Sequence, residues 1–169
     1  MATFIIAALT ADGFIAKSDR HPANWTSRAD KKFFETITKQ AGVVIMGSKT
    51  YKTIGRPLKD RLNIIYSRDS CRFEGEGVEI TQKPPVDLIC ELKGRGYQDI
   101  AICGGSEIYT MFLEAGVVDK LYLTIEGVIF GQGISLFNKS LNNYFLQLIN
   151  VRSIGDNSVV LEYTIVQNK

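Results

Sequence analysis

Short, uninterrupted apolar runs separated by helical patterns set the outline of the chain. Residues 4–9 (F-I-I-A-A-L), 43–46 (V-V-I-M) and 100–103 (I-A-I-C) are continuously apolar, which suits strands buried on both faces. Residues 62–66 read the same way, and 120–125 (K-L-Y-L-T-I) form a strand that continues toward Phe130. Between the first two runs, residues 27–40 carry apolar side chains at helical spacing, with Ser27 as N-cap and Gly42 as C-cap. Further helices are predicted over 48–54, 85–94 and 106–114, and one short strand over 78–80; residues 14–16 (F-I-A) form a brief apolar stretch before the polar loop. In the last third the pattern changes to alternation, with strands over about 144–153 and 158–166 and a turn at Asp156-Asn157. This order predicts one α/β domain over residues 1–169. Its central sheet is mostly parallel and twisted, carries an antiparallel C-terminal edge hairpin, and is flanked by about four helices.

Composition narrows the chemistry more than the fold. A chain of 169 residues with 45% hydrophobic and 22% charged residues is large enough for a sizeable core. The net charge of +2, with Lys and Arg dispersed among acids, gives no nucleic-acid surface. Residues 1–4 place no basic segment ahead of the first apolar run, and that run is too short to span a bilayer, so a cytoplasmic protein is expected. Cys71, Cys90 and Cys103 are odd in number and far apart, which argues against a zinc site or a disulfide framework. His21, the single histidine, lies in the polar loop 17–24, so Ser-His-Asp and Cys-His catalysis are excluded unless it serves. An enzyme with this inventory borrows its chemistry from a cofactor. The pattern does not distinguish a monomer from a homodimer.

Asp30 is the residue that breaks the pattern. Phe33, Phe34 and Ile37 lie roughly 60°, 40° and 20° around the helix from it, so a carboxylate sits in an apolar stripe, while Lys31, Lys32, Glu35 and Lys39 take the other face. Burying an acid is expensive without a polar partner. Two readings are open: an acid at the third helical position that completes a capping box with Ser27, or a functional carboxylate. Two strand–glycine–helix junctions follow, Gly47 with Ser48-Lys49-Thr50 and Gly104-Gly105 with Ser106. Either junction suits an anion at a helix N-terminus or is an ordinary α/β turn. The dinucleotide fingerprint G-x-G-x-x-G is absent there. Ligands in such sheets bind beyond the carboxyl ends of the strands, where Ala8, Gly47, Arg68 and Gly104-Gly105 fall.

Several segments, in order, resemble dihydrofolate reductase: I-I-A-A-L-T-A-D-G-F-I-A, W-T-S-R-A-D-K-K-F-F, V-I-M-G-S-K-T-Y-K-T-I-G-R-P-L-K-D-R-L-N-I-I-Y-S-R, I-C-G-G-S-E-I-Y and K-L-Y-L-T-I. The resemblance spans about residues 4–126. It implies NADPH-dependent reduction of dihydrofolate to tetrahydrofolate, a step of one-carbon metabolism, with a small molecule as partner. Asp30 would then hydrogen-bond the pterin and support its protonation, with Thr124 holding that carboxylate or its water and Trp25 as their companion at the chemistry. Ile6, Ala8, Phe34 and Ile54 would line the pterin and nicotinamide pocket, and Arg61 would pair with the carboxylate of the glutamate tail. NADPH would meet Ala8, Ile15, Gly47, Ser48, Lys49, Thr50, Ser67, Arg68, Ile102, Gly104, Gly105, Ser106, Glu107, Ile108 and Tyr109.

The departures from that pattern are local. Ser48 stands where the family carries a basic residue, so recognition of the 2′-phosphate falls to Lys49 or Arg68. Ala16 replaces a glycine, and Ala23-Asn24 separate Pro22 from Trp25, which lengthens the loop 16–25 by about two residues. Residues 130–137, F-G-Q-G-I-S-L-F, resemble instead the reductase domain of riboflavin biosynthesis, which acts on a ribosylaminopyrimidine phosphate. That substrate, or nucleotide or pterin binding without turnover, is the alternative implied.

Overall fold

The computed structural model describes residues 2–69, 73 and 75–166. The continuous apolar runs become the middle of an eight-stranded sheet. Its strands are β1 (Ala2–Thr10), β3 (Val43–Gly47), β4 (Leu62–Tyr66), β5 (Val78–Thr81), β6 (Asp99–Ile102), β7 (Lys120–Glu126), β9 (Phe145–Ile154) and β10 (Ser158–Val166). They lie in the order β5-β4-β3-β6-β1-β7-β10-β9. Every pairing from β5 to β7 is parallel, and β10 runs antiparallel to both of its neighbours, so β10 alone is reversed. The expected parallel sheet with an antiparallel edge hairpin is the observed one.

Four helices flank it: α1 (Arg28–Ala41), α2 (Ser48–Ile54), α3 (Pro85–Gly94) and α4 (Ser106–Glu114). Two hydrophobic layers result. On one face Leu88, Ile89 and Leu92 of α3 and Ile108, Phe112 and Leu113 of α4 pack on Ile5, Ile45, Ile64, Ile100 and Ile102. On the other, Phe33 of α1 and Tyr51 of α2 pack on Phe4, Ile6, Val44, Met46 and Ile65. The central strands are buried on both faces, the physical reason they carry no alternation.

Two details depart from the expected outline. β7 stops at Glu126 and does not continue toward Phe130, because the Gly127 amide turns away to donate to Asn157 O (3.0 Å). Within residues 130–137, β8 (Ile134–Ser135) pairs with β2 (Phe14–Ala16) as a separate two-stranded ladder. Cys71 lies outside the described residues. Among the described residues no cluster of His, Cys, Asp and Glu is arranged to hold a metal, and no helix is long and apolar enough to cross a membrane.

Candidate active site

The site begins at the N-terminus of α1. Ser27 is its N-cap, and the Ser27 hydroxyl accepts from the Asp30 amide (3.1 Å). In a reciprocal capping box the third-position acid would accept the N-cap's own N–H. Here that N–H goes elsewhere: both the Ser27 amide and the Ser27 hydroxyl donate to Glu126 Oε1, each at 2.9 Å. Ser158 Oγ donates to Glu126 Oε2 at 2.7 Å, so Glu126, only 4% exposed, clasps α1 to β7 and β10. The capping task is thereby taken from Asp30. Its carboxylate, 8% exposed, instead accepts from the hydroxyls of Thr124 and Thr26 and borders the cleft.

Burial raises the pKa of Asp30 above the ordinary carboxylate value, and the charge of Glu126 pushes in the same direction. The Thr124 and Thr26 hydroxyls and the Lys31 charge pull it back without cancelling the rise. A carboxyl shifted by desolvation in a cleft has the character of a group used in acid–base chemistry. Thr124 sits opposite Ala8 in the β1–β7 ladder and is 1% exposed, a position fixed by strand register.

The cleft, of about 1300 Å3, runs along the carboxyl ends of β1, β3 and β6. One half is walled by Ile6, Ala8, Phe34, Ile54 and Leu58, an apolar slot beside Asp30. The other half is built from backbone. Neither α2 nor α4 has a side-chain cap, since Gly47 and Gly105 stand at their N-cap positions. The two junctions are joined by the Gly47 amide, which donates to Gly104 O (2.8 Å). A Cβ on Gly105 would come within 3.3 Å of Thr50 Oγ1, and one on Gly104, at φ +103°, within 2.9 Å of the Tyr109 ring. Among the described residues the buried Ser106 Oγ has no hydrogen-bond partner, an orphan at the cleft wall. Free helix amides and an unpaired hydroxyl around a glycine floor fit the phosphates and sugar of a dinucleotide.

Two basic residues expected near the cofactor phosphate differ in state. Lys49 is tied to Asp19 of the 17–24 loop at 2.6 Å, an exposed pair. Arg68 borders the cleft and makes no ion pair among the described residues. At the far end Arg61 donates from its guanidinium to Thr38 Oγ1 (2.7 Å) and to Lys59 O (2.9 Å). Fully buried Asn63 braces that turn: its Oδ1 accepts from the Leu58 amide, and its Nδ2 donates to Leu58 O and Arg61 O.

The loop over the site is pinned by Phe130. Its ring meets Trp25 edge-on at 5.1 Å and His21 at 5.4 Å, and Lys17 Nζ stands 5.0 Å from its centroid. The amides of Phe130 and Gly131 donate to the Asp12 carboxylate, which ties this segment to the end of β1. A Cβ on Gly133 would lie 2.4 Å from Ala16 O, so the β2–β8 ladder requires glycine there.

Most of the residues singled out from the sequence line one cleft: Ile6, Ala8, Ile15, Trp25, Asp30, Phe34, Gly47, Ser48, Lys49, Thr50, Ile54, Ser67, Arg68, Gly105, Ser106, Glu107, Ile108 and Tyr109. Four do not. Ile102 is a fully buried core residue, because its side chain points from β6 into the layer under α3 and α4. Gly104 lies against the Tyr109 ring, Thr124 is buried in β7 beside Asp30, and Arg61 stands beyond the cleft wall with its guanidinium held by Thr38 of α1. Tyr109 borders the cleft while its hydroxyl is committed to Ile6 O (2.8 Å). The reading of the sequence missed Glu126, Thr26, Thr38, Asn63 and Phe130. Glu126, Thr38 and Phe130 act through partners distant in sequence, Thr26 and Asn63 through neighbours within a few residues, and the one visible signal was an acid, Glu126, ending an apolar strand.

A family model described as dihydrofolate reductase matches residues 2–167. The chain belongs to the dihydrofolate reductase family, whose members are oxidoreductases. It is 35% identical to dihydrofolate reductase of Haemophilus influenzae over 73% of this chain and 71% of the relative, and 36% identical to dihydrofolate reductase type 3 of Salmonella typhimurium over the same shares. Solved structures with the same fold include a pyrimidine reductase-like protein of Corynebacterium diphtheriae (TM-score 0.74, 17% identity, 99% of this chain and 92% of that one). A second is a Thermotoga maritima diaminohydroxyphosphoribosylaminopyrimidine deaminase/5-amino-6-(5-phosphoribosylamino)uracil reductase (TM-score 0.78, 15% identity, 98% of this chain and 56% of that one).

Proposed function

We propose that this protein reduces dihydrofolate to tetrahydrofolate with NADPH. The observation that carries the reading is the Asp30 carboxylate, relieved of capping by Glu126 and set beside a flat apolar slot. A pterin is a planar ring with a polar edge, and this combination recognises both features. Asp30 holds the polar edge, and the negative charge of its carboxylate beside the ring favours the protonated ring. Phe34, Ile54 and Ile6 hold the ring flat, and Trp25 with Phe130 shields the reacting face from water. Arg61, oriented by Thr38, keeps guanidinium nitrogens for the tail carboxylate. When bound, the nicotinamide supplies the hydride. The α2 and α4 amides, Thr50 and Ser106 would hold the cofactor's phosphates and sugar, and Arg68 in place of Lys49 would read the 2′-phosphate.

A second reading, reduction of a ribosylaminopyrimidine phosphate, is favoured by the 130–137 segment and by the fold it shares with the two solved structures. One experiment separates the two. Purified protein is assayed for NADPH oxidation with dihydrofolate and with the ribosylaminouracil phosphate, and with NADH in parallel. Turnover with dihydrofolate alone is expected, and turnover with the pyrimidine alone overturns the choice. In Arg68→Ala the NADPH preference over NADH should fall at least about tenfold, since one charge-assisted contact is lost.

A further inference from the structure

The outer strands of the sheet carry an apolar face that no helix covers. β9 is the sheet's edge, and residues 145–153 are all exposed. The ladders set Val151 beside Leu161, Leu148 beside Tyr163 and Leu146 beside Ile165, and the next row aligns Leu161 with Leu123 and Tyr163 with Leu121. This face is the one on which α3 and α4 pack, but those helices sit over the central strands. Leu146, Leu148 and Val151 remain 39%, 49% and 53% exposed, and Ile149, unpaired at the irregularity in the ladder, 50%. The opposite face of the same strands is mainly polar, with Gln147, Asn150, Arg152, Glu162 and Thr164 and the Lys120–Glu162 ion pair, and it carries Val160 packed in the α1 layer and exposed Phe145 and Val166 where β9 begins and β10 ends. The row of Leu146, Leu148 and Val151, with no polar side chain among them, marks its face for burial. A long apolar edge strand left open is a liability that proteins ordinarily cover.

We propose that a second copy of this chain covers it, the two β9–β10 faces packing across a two-fold axis. Two features select a second copy as the occupant. The face carries no charged side chain along β9 or β10, so a patch meeting its own image sets no like charges together. The area also suits: the exposed fractions of Leu146, Leu148, Ile149 and Val151 amount to roughly 300 Å2 of apolar surface, at the size where a patch signals an interface. That is about half of the roughly 600 Å2 per partner at the lower limit of a stable interface. Half-buried Leu161 and Tyr163 extend the same face and add to it.

The test is the mass of the full chain in solution by light scattering and sedimentation at micromolar concentration. Twice the 18.8 kDa chain mass is expected. Leu148→Asp should weaken the dimer about a hundredfold, as for a central contact residue, and leave far-UV circular dichroism unchanged. Gln147→Glu, on the polar face, should remain dimeric. If Leu148→Asp does not fold, amide exchange of wild-type β9 decides: protection that falls on dilution supports the contact, and protection independent of concentration overturns it. A mass of 18.8 kDa at all concentrations, a dimer indifferent to Leu148→Asp, or growth beyond two copies also overturns the proposal.

Discussion

Glu126→Ala removes three hydrogen bonds at once, from the Ser27 amide, the Ser27 hydroxyl and the Ser158 hydroxyl. Each hydrogen bond to a charged group contributes about 1.5–3 kcal/mol, less the cost of keeping the carboxylate buried. The expected net loss is about 2–4 kcal/mol, which for a chain of this size lowers Tm by roughly 10 °C. Glu126→Gln keeps the shape, still accepts from Ser27, and donates its NH2 to Ser158 Oγ, so its expected loss is about 1 kcal/mol. Both variants delete a charge that pushes the Asp30 pKa up. The Asp30 pKa should therefore fall in both, and the limb of the kcat/KM–pH profile governed by Asp30 should move to lower pH. Thermal denaturation and the pH profile of reductase activity are the two assays. An alanine variant that loses less than about 1 kcal/mol, with its pH profile unmoved, would refute the idea that Glu126 frees and tunes Asp30.

Asp30→Asn should keep the fold and lower kcat/KM at least about a hundredfold near neutral pH. Its stability has a definite sign: the folded carboxyl holds its proton more tightly than the unfolded one, so wild-type stability falls as pH rises from the ordinary carboxyl value of 3.8 through the raised folded pKa. The asparagine variant lacks that penalty, so it should be the more stable protein at neutral pH, with the difference gone below 3.8; chemical denaturation at both ends of that range checks it. Thr38→Val unties Arg61 and should weaken dihydrofolate binding about tenfold while sparing a pterin without the glutamate tail; equal losses by titration calorimetry would count against the Arg61 contact. Phe130→Ala removes two edge-to-face ring contacts, each contributing about 0.5–1.5 kcal/mol. Proteolytic cleavage within residues 17–24 should accelerate and KM should rise; an unchanged cleavage rate would mean the loop is held by other contacts.

The sequence by itself determined the elements and their order. Uninterrupted runs such as 43–46 have no polar side to show, so they are central strands, and Ser27 and Gly42 mark both ends of α1 because caps answer to local backbone geometry. It also determined that one acid, Asp30, shares a stripe with Phe33 and Phe34. What that acid does was decided in three dimensions. Along the chain, Ser27 and Asp30 have the spacing of a capping box, and nothing in that stretch reveals that the Ser27 amide is claimed by Glu126, 99 residues away. The 130–137 segment, set apart in the sequence by its unfamiliar glycines, became the brace of the loop over the cleft only when Phe130 met Trp25 and Gly133 met Ala16. Local propensities are carried by neighbours along the chain. Carboxylate roles depend on burial and on who donates to whom, and only the register of β7 against β1 and β10 brings those donors together.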